Sequence, residues 1–275
     1  MDFLRHWGLW EKPFENTLDP RFFHASPIHA EAVARLELLA ADGDMGFGLL
    51  TGEIGSGKTF AAAVFAGSLD ERLFVPVFLP GAAFGFESVM DQLNCALRRE
   101  VPRGSSRSLY QRTIEFRKRF ESRVRRRRLH LVLIIDEAQE MSRQDLAGLR
   151  ALSNEGAGSR NAMSIVLVGQ PELRDHVQDF PALDTRVGLR YHLRCLGEED
   201  VGPYLEHRMR AAGFAGERAF AADAVGVIAR HSGGVPRKIN RLAKLSLYAA
   251  AGRGAKMVTE ADAGSVAADL DRSAA

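Results

Sequence analysis

The chain has 275 residues, 46% hydrophobic and 26% charged, with a formal net charge of +2. That length can bury one α/β core and still carry a smaller accessory domain, and the balance excludes both a disordered chain and a globally basic one. No apolar run approaches the roughly 18 residues of a membrane span, and Cys95 and Cys195 are isolated and far apart, as reduced thiols rather than a disulfide framework or a zinc site.

The N-terminus, with Asp2, Arg5 and His6, lacks the apolar stretch of a signal peptide, so the expected location is the cytoplasm. Phe47 to Thr51 predicts a buried strand and Phe60 to Ala66 a helix, and between them runs GEIGSGKT, Gly52 to Thr59. Gly52, Gly55 and Gly57 let the backbone take positive φ and approach a ligand closely, so that successive N–H groups, Ser56 among them, can point at phosphate oxygens. Lys58 would reach the β and γ phosphates and Thr59 would offer its hydroxyl to Mg²⁺, with the phosphates at the positive end of the helix. A chance glycine-rich turn is the alternative. The strand before the loop, the helix after it and the Lys58-Thr59 pair argue against it.

Leu73 to Leu79 predicts a second strand, followed by a helix from about Glu87 to Arg99, a loop at Gly104-Ser105-Ser106 and a helix from about Leu109 to Arg128. That last helix carries Arg117, Lys118, Arg119, Arg123 and Arg125 to Arg128, with Phe116, Phe120 and Val124 as its apolar side. The simple expectation is a solvated basic face, and the sharper one is contact with a duplex DNA backbone through the Arg117 to Arg128 region.

Leu131 to Ile135 is five apolar residues in a row, as suits a strand of a parallel sheet buried on both faces, and it ends in Asp136-Glu137. Acids at the carboxyl end of such a strand sit where open α/β sheets bind ligands. Asp136 is expected to hold Mg²⁺ through water, and Glu137 to accept the proton of an attacking water. Paired with the glycine-rich loop, this motif predicts an ATPase or GTPase. Ala138-Gln139 begins a polar turn, Asp145 to Leu152 predicts a helix and Ser164 to Val168 a strand. Beyond Leu196-Gly197 strands disappear, and helices are predicted at about Glu198 to Ala212, Ala219 to His231, Arg237 to Ala251 and Glu260 to Leu270. Arg237 follows Gly233-Gly234 and Pro236, so a cation stands just inside a helix start, against the macrodipole, and a nearby anion would relieve that conflict.

Several further motifs carry a family resemblance. Trp7-Gly8-Leu9, Lys12-Pro13-Phe14, Asp19-Pro20-Arg21-Phe22-Phe23 and Ser26-Pro27-Ile28-His29-Ala30-Glu31-Ala32 resemble the opening of the ExeA, or general secretion pathway protein A, family of AAA+ ATPases. DEAQ at Asp136 to Gln139, GQPEL at Gly169 to Leu173, RVGLRYHL at Arg186 to Leu193 and GGVPRKINRL at Gly233 to Leu242 are similar to that family as well. The resemblance implies an α/β fold, an AAA+ P-loop (RecA-like) parallel-sheet core at 1–196 with a C-terminal all-α lid domain at 197–275 that can close over ATP with Mg²⁺. It implies that Gln170 senses the γ-phosphate, that Arg237 is a lid sensor, and that Arg186, with Arg190 as runner-up, is an arginine finger reaching a neighbouring subunit. Leu18 to His29 is the expected base pocket. A homo-oligomer acting on a partner protein of a secretion or pilus-assembly system is implied. Transposition regulators that oligomerise on duplex DNA are the related alternative.

Overall fold

The computed structural model describes residues 2–42, 44–81, 85–98, 108–157 and 161–274. The Gly104-Ser105-Ser106 loop of the sequence reading lies outside them. The chain forms two compact units, one of Glu31–Glu53 with Lys58–Leu193, the other of Met1–Ala30, Ile54–Gly57 and Arg194–Ala275.

The larger unit is built on five parallel strands: β1 (Phe47–Gly52), β2 (Phe74–Leu79), β3 (His130–Ile135), β4 (Met163–Gly169) and β5 (Val187–Leu193), in the spatial order β2-β3-β4-β1-β5. Leu133 pairs with Ile165, and Leu49 with both Leu167 and Arg190, so the carboxyl ends of β1, β3 and β4 share one edge of the sheet. β1, β3 and β4 are buried at every position. Side chains of a strand alternate between faces. Leu131, Leu133 and Ile135 join a core with Met90, Leu93, Phe116, Phe120, Leu146 and Leu149, while Val132 and Ile134, outside that cluster, are also fully buried. Continuous apolar sequence is thus the mark of a strand covered on both sides. Replacing Leu133 with Ala would cost about 2–5 kcal/mol, by lost transfer energy and a cavity.

β2 is an edge strand and contains Pro76, which is tolerated because the outer edge needs no ladder donor there. β5 is the other edge and is not among the predicted strands. Its Leu189 and Leu193 are buried while Arg190 and His192 between them, and Gly188 before them, are exposed, an alternation that reads as polar sequence.

The predicted Leu109 to Arg128 helix is shorter. An α-helix, Leu109–Phe120, starts on a Ser108/Gln111 capping box, widens into one π turn at Glu121–Arg125, and the chain reverses at Arg128 with φ 56. Phe116 and Phe120 stack at 5.4 Å and, with Val124, hold this segment to the core.

Most of the basic run is exposed, as the solvated-face expectation has it, and part of it is also tied to neighbouring groups. Arg117 pairs with Glu155 at 2.7 Å, Arg119 with Glu115, and Arg125 donates to the carbonyls of Glu155 and Ala157 at 2.6 and 2.7 Å. Arg125 thus caps the carboxyl end of the Arg143–Gly156 helix and Arg117 pairs with an acid of its last turn, where cations complement the helix dipole. Arg117, Lys118 and Arg125 to Arg128 are all exposed, and of these Lys118, Arg127 and Arg128 make no side-chain ion pair among the described residues.

In the other unit, helices span Phe3–Trp7, Glu198–Ala211, Ala222–Ser232, Pro236–Gly252 and Glu260–Ala274, with one isolated bridge, Phe220 to Val258. Arg208 is buried yet satisfied. It donates to the carbonyls of Pro13 and Glu15, both at 2.7 Å, and lies 5.1 Å from the centroid of the Phe22 ring. A buried guanidinium with carbonyl acceptors and aromatic walls fastens the Pro13–Phe22 stretch to this helical unit.

Candidate nucleotide site

β1 ends at Gly52 and the Lys58–Ser68 helix begins six residues on, so GEIGSGKT is a strand-to-helix loop, as its motif requires. Gly55 (φ 81) and Gly57 (φ 99) occupy the left-handed region that side chains disfavour. Gly52 does not. It is the last residue of β1, paired with Leu193, because the strand's extended ladder runs one residue further than the glycine spacing suggests.

Close approach also excludes side chains here. A Cβ on Gly55 would lie 2.8 Å from the Cβ of Arg237, and one on Gly57 would lie 2.7 Å from Nε2 of His29. The backbone N–H of Arg237 donates to the Gly55 carbonyl at 3.3 Å, which brings that residue to the loop. Arg237 itself is exposed in the first turn of its helix, behind Pro236 and with no acid in that turn. Ser56 Oγ is buried and has no hydrogen-bond partner among the described residues.

His29 is a loop support that motif reading did not single out. Its Nε2 lies 2.9 Å from the Ser56 carbonyl and its Nδ1 2.8 Å from Ser26 Oγ. A carbonyl only accepts, so Nε2 carries the proton and Nδ1 accepts from the Ser26 hydroxyl. Burial pushes the His29 pKa down from its ordinary value, keeping the ring neutral in that tautomer, against the raising effect of the Ser56 hydrogen bond. The available signal was position alone: Ser26 and His29 close the segment expected to form the base pocket.

Lys58, Thr59, Asp136 and Glu137 gather at the carboxyl end of the sheet. The Lys58 ammonium donates to the carbonyls of Gly52 at 2.7 Å and Glu53 at 2.8 Å. The Thr59 hydroxyl donates to Asp136 Oδ2 at 2.6 Å. Asp136 is buried, and burial raises its pKa while the Thr59 hydrogen bond pulls it back, so its ionised form calls for a cation beside it. Glu137 sits at φ 52 and ψ 35, a conformation uncommon outside glycine and often kept where a side chain must be aimed.

Gln139, absent from the sequence-predicted set, joins two members of it. Its Nε2 donates to Glu137 Oε2 at 2.7 Å, and its Oε1 accepts the backbone N–H of Gln170 at 3.0 Å. Gly169 makes room, since a Cβ there would lie 2.6 Å from Gln139 Oε1. The adjacency of β3 and β4 brings the DEAQ and GQPEL motifs together.

Arg186 and Arg190 are not gathered with Lys58. β5 pairs with β1 from Phe47↔Val187 to Gly52↔Leu193, so Arg186 lies at the amino end of the sheet. Its own Gly52 is a strand's length away, roughly 17 Å at about 3.3 Å per residue. Arg186 Nη1 donates to Ser153 Oγ at 2.8 Å, Asn154 Oδ1 at 2.8 Å and the Arg150 carbonyl at 3.3 Å. Arg190 instead pairs with the Asp184 carboxylate at 2.7 Å.

Residues 41–177 match the family model described as an AAA domain. The chain has the α/β P-loop fold of AAA+ proteins. It is 29% identical over 265 residues to general secretion pathway protein A of Aeromonas hydrophila, a match covering 94% of this chain and 47% of that protein. The chain thus spans about half the length of that relative. Among solved structures it resembles the Aeropyrum pernix ORC2 protein in ADPNP–ADP complexes, with a TM-score of 0.69 at 15% identity over 94% of this chain and 71% of that one. It also resembles the Aeropyrum pernix ORC1 protein in complex with DNA, with a TM-score of 0.68 at 18% identity over 97% and 69% of the two chains. At such identities the likeness is one of fold. The AAA+ reading of the sequence motifs and the parallel α/β core are both borne out. Among the described residues, no helix is long and apolar enough to cross a membrane.

Proposed function

We propose that this protein binds and hydrolyses ATP with Mg²⁺ as a homo-oligomer, and uses the cycle to remodel or recruit a cytoplasmic-side partner complex of the secretion or pilus-assembly type. The observation that carries the reading is the Thr59 hydroxyl on the buried Asp136 carboxylate, one residue from Lys58 and one from Glu137. The backbone N–H groups of Gly55, Ser56 and Gly57 would bind the phosphates, and Lys58 would exchange the carbonyls of Gly52 and Glu53 for β and γ oxygens. The hard oxygen donors Thr59 and Asp136 fit Mg²⁺, which when bound neutralises charge on the phosphate oxygens.

Glu137 takes the proton of the water that attacks the γ-phosphorus, while the bond from phosphorus to the ADP oxygen breaks. Gln139 holds Glu137 Oε2, and Oε1 makes no hydrogen bond among the described residues, which leaves it for that water. The Gln170 amide positions the same water or senses the γ-phosphate, and Arg237 supplies a second sensor next to Gly55. The base lies against Leu18 to His29. Arg186, a strand's length from its own loop, completes the site of a neighbouring subunit; Arg190, already neutralised by Asp184, does not.

Likeness to general secretion pathway protein A over 94% of the chain supports a partner of the secretion type. A second reading, an ATP-dependent switch on duplex DNA related to transposition regulators, is favoured by one observation, the exposed Lys118 and Arg126 to Arg128. ATP turnover measured for the wild type, Lys58→Ala and Glu137→Gln tests the first reading, which fails if all three proteins turn over ATP equally. The same assay with duplex DNA at low and moderate salt separates the readings, since stimulation lost as salt rises marks phosphate contacts.

A further inference from the structure

We infer that Ser153 and Asn154 are positioning residues for Arg186: they fix its guanidinium through neutral acceptors so that its charge stays available to an anion on a second copy of this chain. The inference rests on the reading of Arg186 as acting on a neighbour, and names how that action is prepared.

The three groups that receive Arg186 Nη1 are a hydroxyl, an amide oxygen and a backbone carbonyl. None carries a formal charge. The Ser153 hydroxyl donates its own proton to the Arg150 carbonyl at 2.8 Å, so only a lone pair faces Arg186. Nε and Nη2 of Arg186 make no hydrogen bond among the described residues, so one nitrogen is held and the rest of the fork is presented. The backbone is fixed too, because the Arg186 N–H donates to the Leu183 carbonyl at 2.9 Å.

Neighbouring arginines are treated differently. Arg190 meets Asp184 at 2.7 Å, Arg112 meets Asp91 at 2.9 Å, and Arg117 takes the Glu155 carboxylate directly beside Asn154. An acid is therefore one residue away and is directed elsewhere. A carboxylate on Arg186 would be the stronger tether, since charge-assisted bidentate pairs are the tight ones, but it would neutralise the cation. Tethering by groups without formal charge in the last turns of the Arg143–Gly156 helix orders the side chain, and the partial negative charge of that helix end offsets its positive charge only in part. Ordering beforehand is what gives a transition-state contact its value, because no reorganisation is then needed during reaction.

The test compares Asn154→Asp, Asn154→Ala and Ser153→Ala with Arg186→Ala in the purified full chain, reading kcat and KM for ATP across a protein-concentration series and the nucleotide affinity of dilute subunits. Asn154→Asp should lower the kcat of the assembled protein by roughly 10- to 100-fold, the scale of a misplaced catalytic group, with KM and dilute-subunit affinity unchanged. It should add no further loss in the Arg186→Ala background. Ser153→Ala and Asn154→Ala should shift kcat in the same direction by less, and they carry the test if Asn154→Asp does not fold. A loss on Arg186→Ala with wild-type kcat in all three other variants overturns this inference alone. No loss on Arg186→Ala overturns the trans reading and this inference with it.

Discussion

The two ends of the sheet treat charge in opposite ways. At the carboxyl end, the Thr59 hydroxyl meets the Asp136 carboxylate and the Lys58 ammonium is received by loop carbonyls, so the groups that would meet nucleotide are packed into one another's reach. At the amino end, among the described residues, the Arg186 side chain is held by a hydroxyl, an amide oxygen and a carbonyl. A guanidinium ordered in this way and paired with no carboxylate among the described residues suits the proposed contact with the phosphates of a second copy. The difference is the one that the proposed function requires, with the two ends serving different subunits.

That contrast can be broken by removing either half. Arg186→Ala should cost the most, about 10³-fold or more in assembly-dependent turnover, with nucleotide affinity of dilute subunits retained. Loss of affinity instead would make Arg186 part of its own subunit's site. Glu137→Gln should lower turnover by about 10²-fold or more while ATP binding persists, measured by single-turnover kinetics and equilibrium binding. Lys58→Ala should weaken nucleotide binding by roughly 10- to 100-fold, the worth of a lost charge-assisted hydrogen bond. Equal ATP affinity in the two proteins would remove the carboxyl end from the account.

The smallest effect sharpens the picture of the loop. His29→Ala should weaken nucleotide binding by only several-fold, since a single buried neutral hydrogen bond contributes about 0.5–1.5 kcal/mol. The same residue gives a pH signature. Burial holds its folded pKa below the ordinary 6.5, so the unfolded chain takes up the proton first. Stability from this residue is complete above that value and is lost as pH falls through the lowered folded pKa. Melting temperature followed from pH 7.5 (about) downward should therefore fall less steeply in His29→Ala than in the wild type; parallel curves would show that His29 is not buried neutral.

How much of this was legible follows from which residues advertise their surroundings. Leu131 to Ile135 and Phe47 to Thr51 announce strands covered on both faces because every residue is apolar, and Gly55, Gly57, Lys58 and Thr59 announce phosphate chemistry by spacing. β5 was missed because an edge strand alternates, and Gly188, Arg190 and His192 on its open side masked Leu189 and Leu193. The glycine spacing predicts a positive φ at Gly52 too, but in that loop only Gly55 and Gly57 adopt one. The exposed basic side of the Arg117 to Arg128 run is legible, but nothing in its sequence shows that Arg117 and Arg125 also reach Glu155, 38 and 30 residues on. Gln139 and His29 act through contacts across 31 and 27 residues, distances at which a local pattern carries no signal.

On the proposed reading, catalysis needs Glu137 from one copy and Arg186 from another. Turnover of a mixture of Glu137→Gln and Arg186→Ala subunits, each inactive alone, tests it most directly. Interfaces that combine the intact Glu137 of one with the intact Arg186 of the other should restore a fraction of wild-type activity that peaks near equal mixing. Complete inactivity across all ratios, in oligomers shown to contain both variants, would contradict the claim.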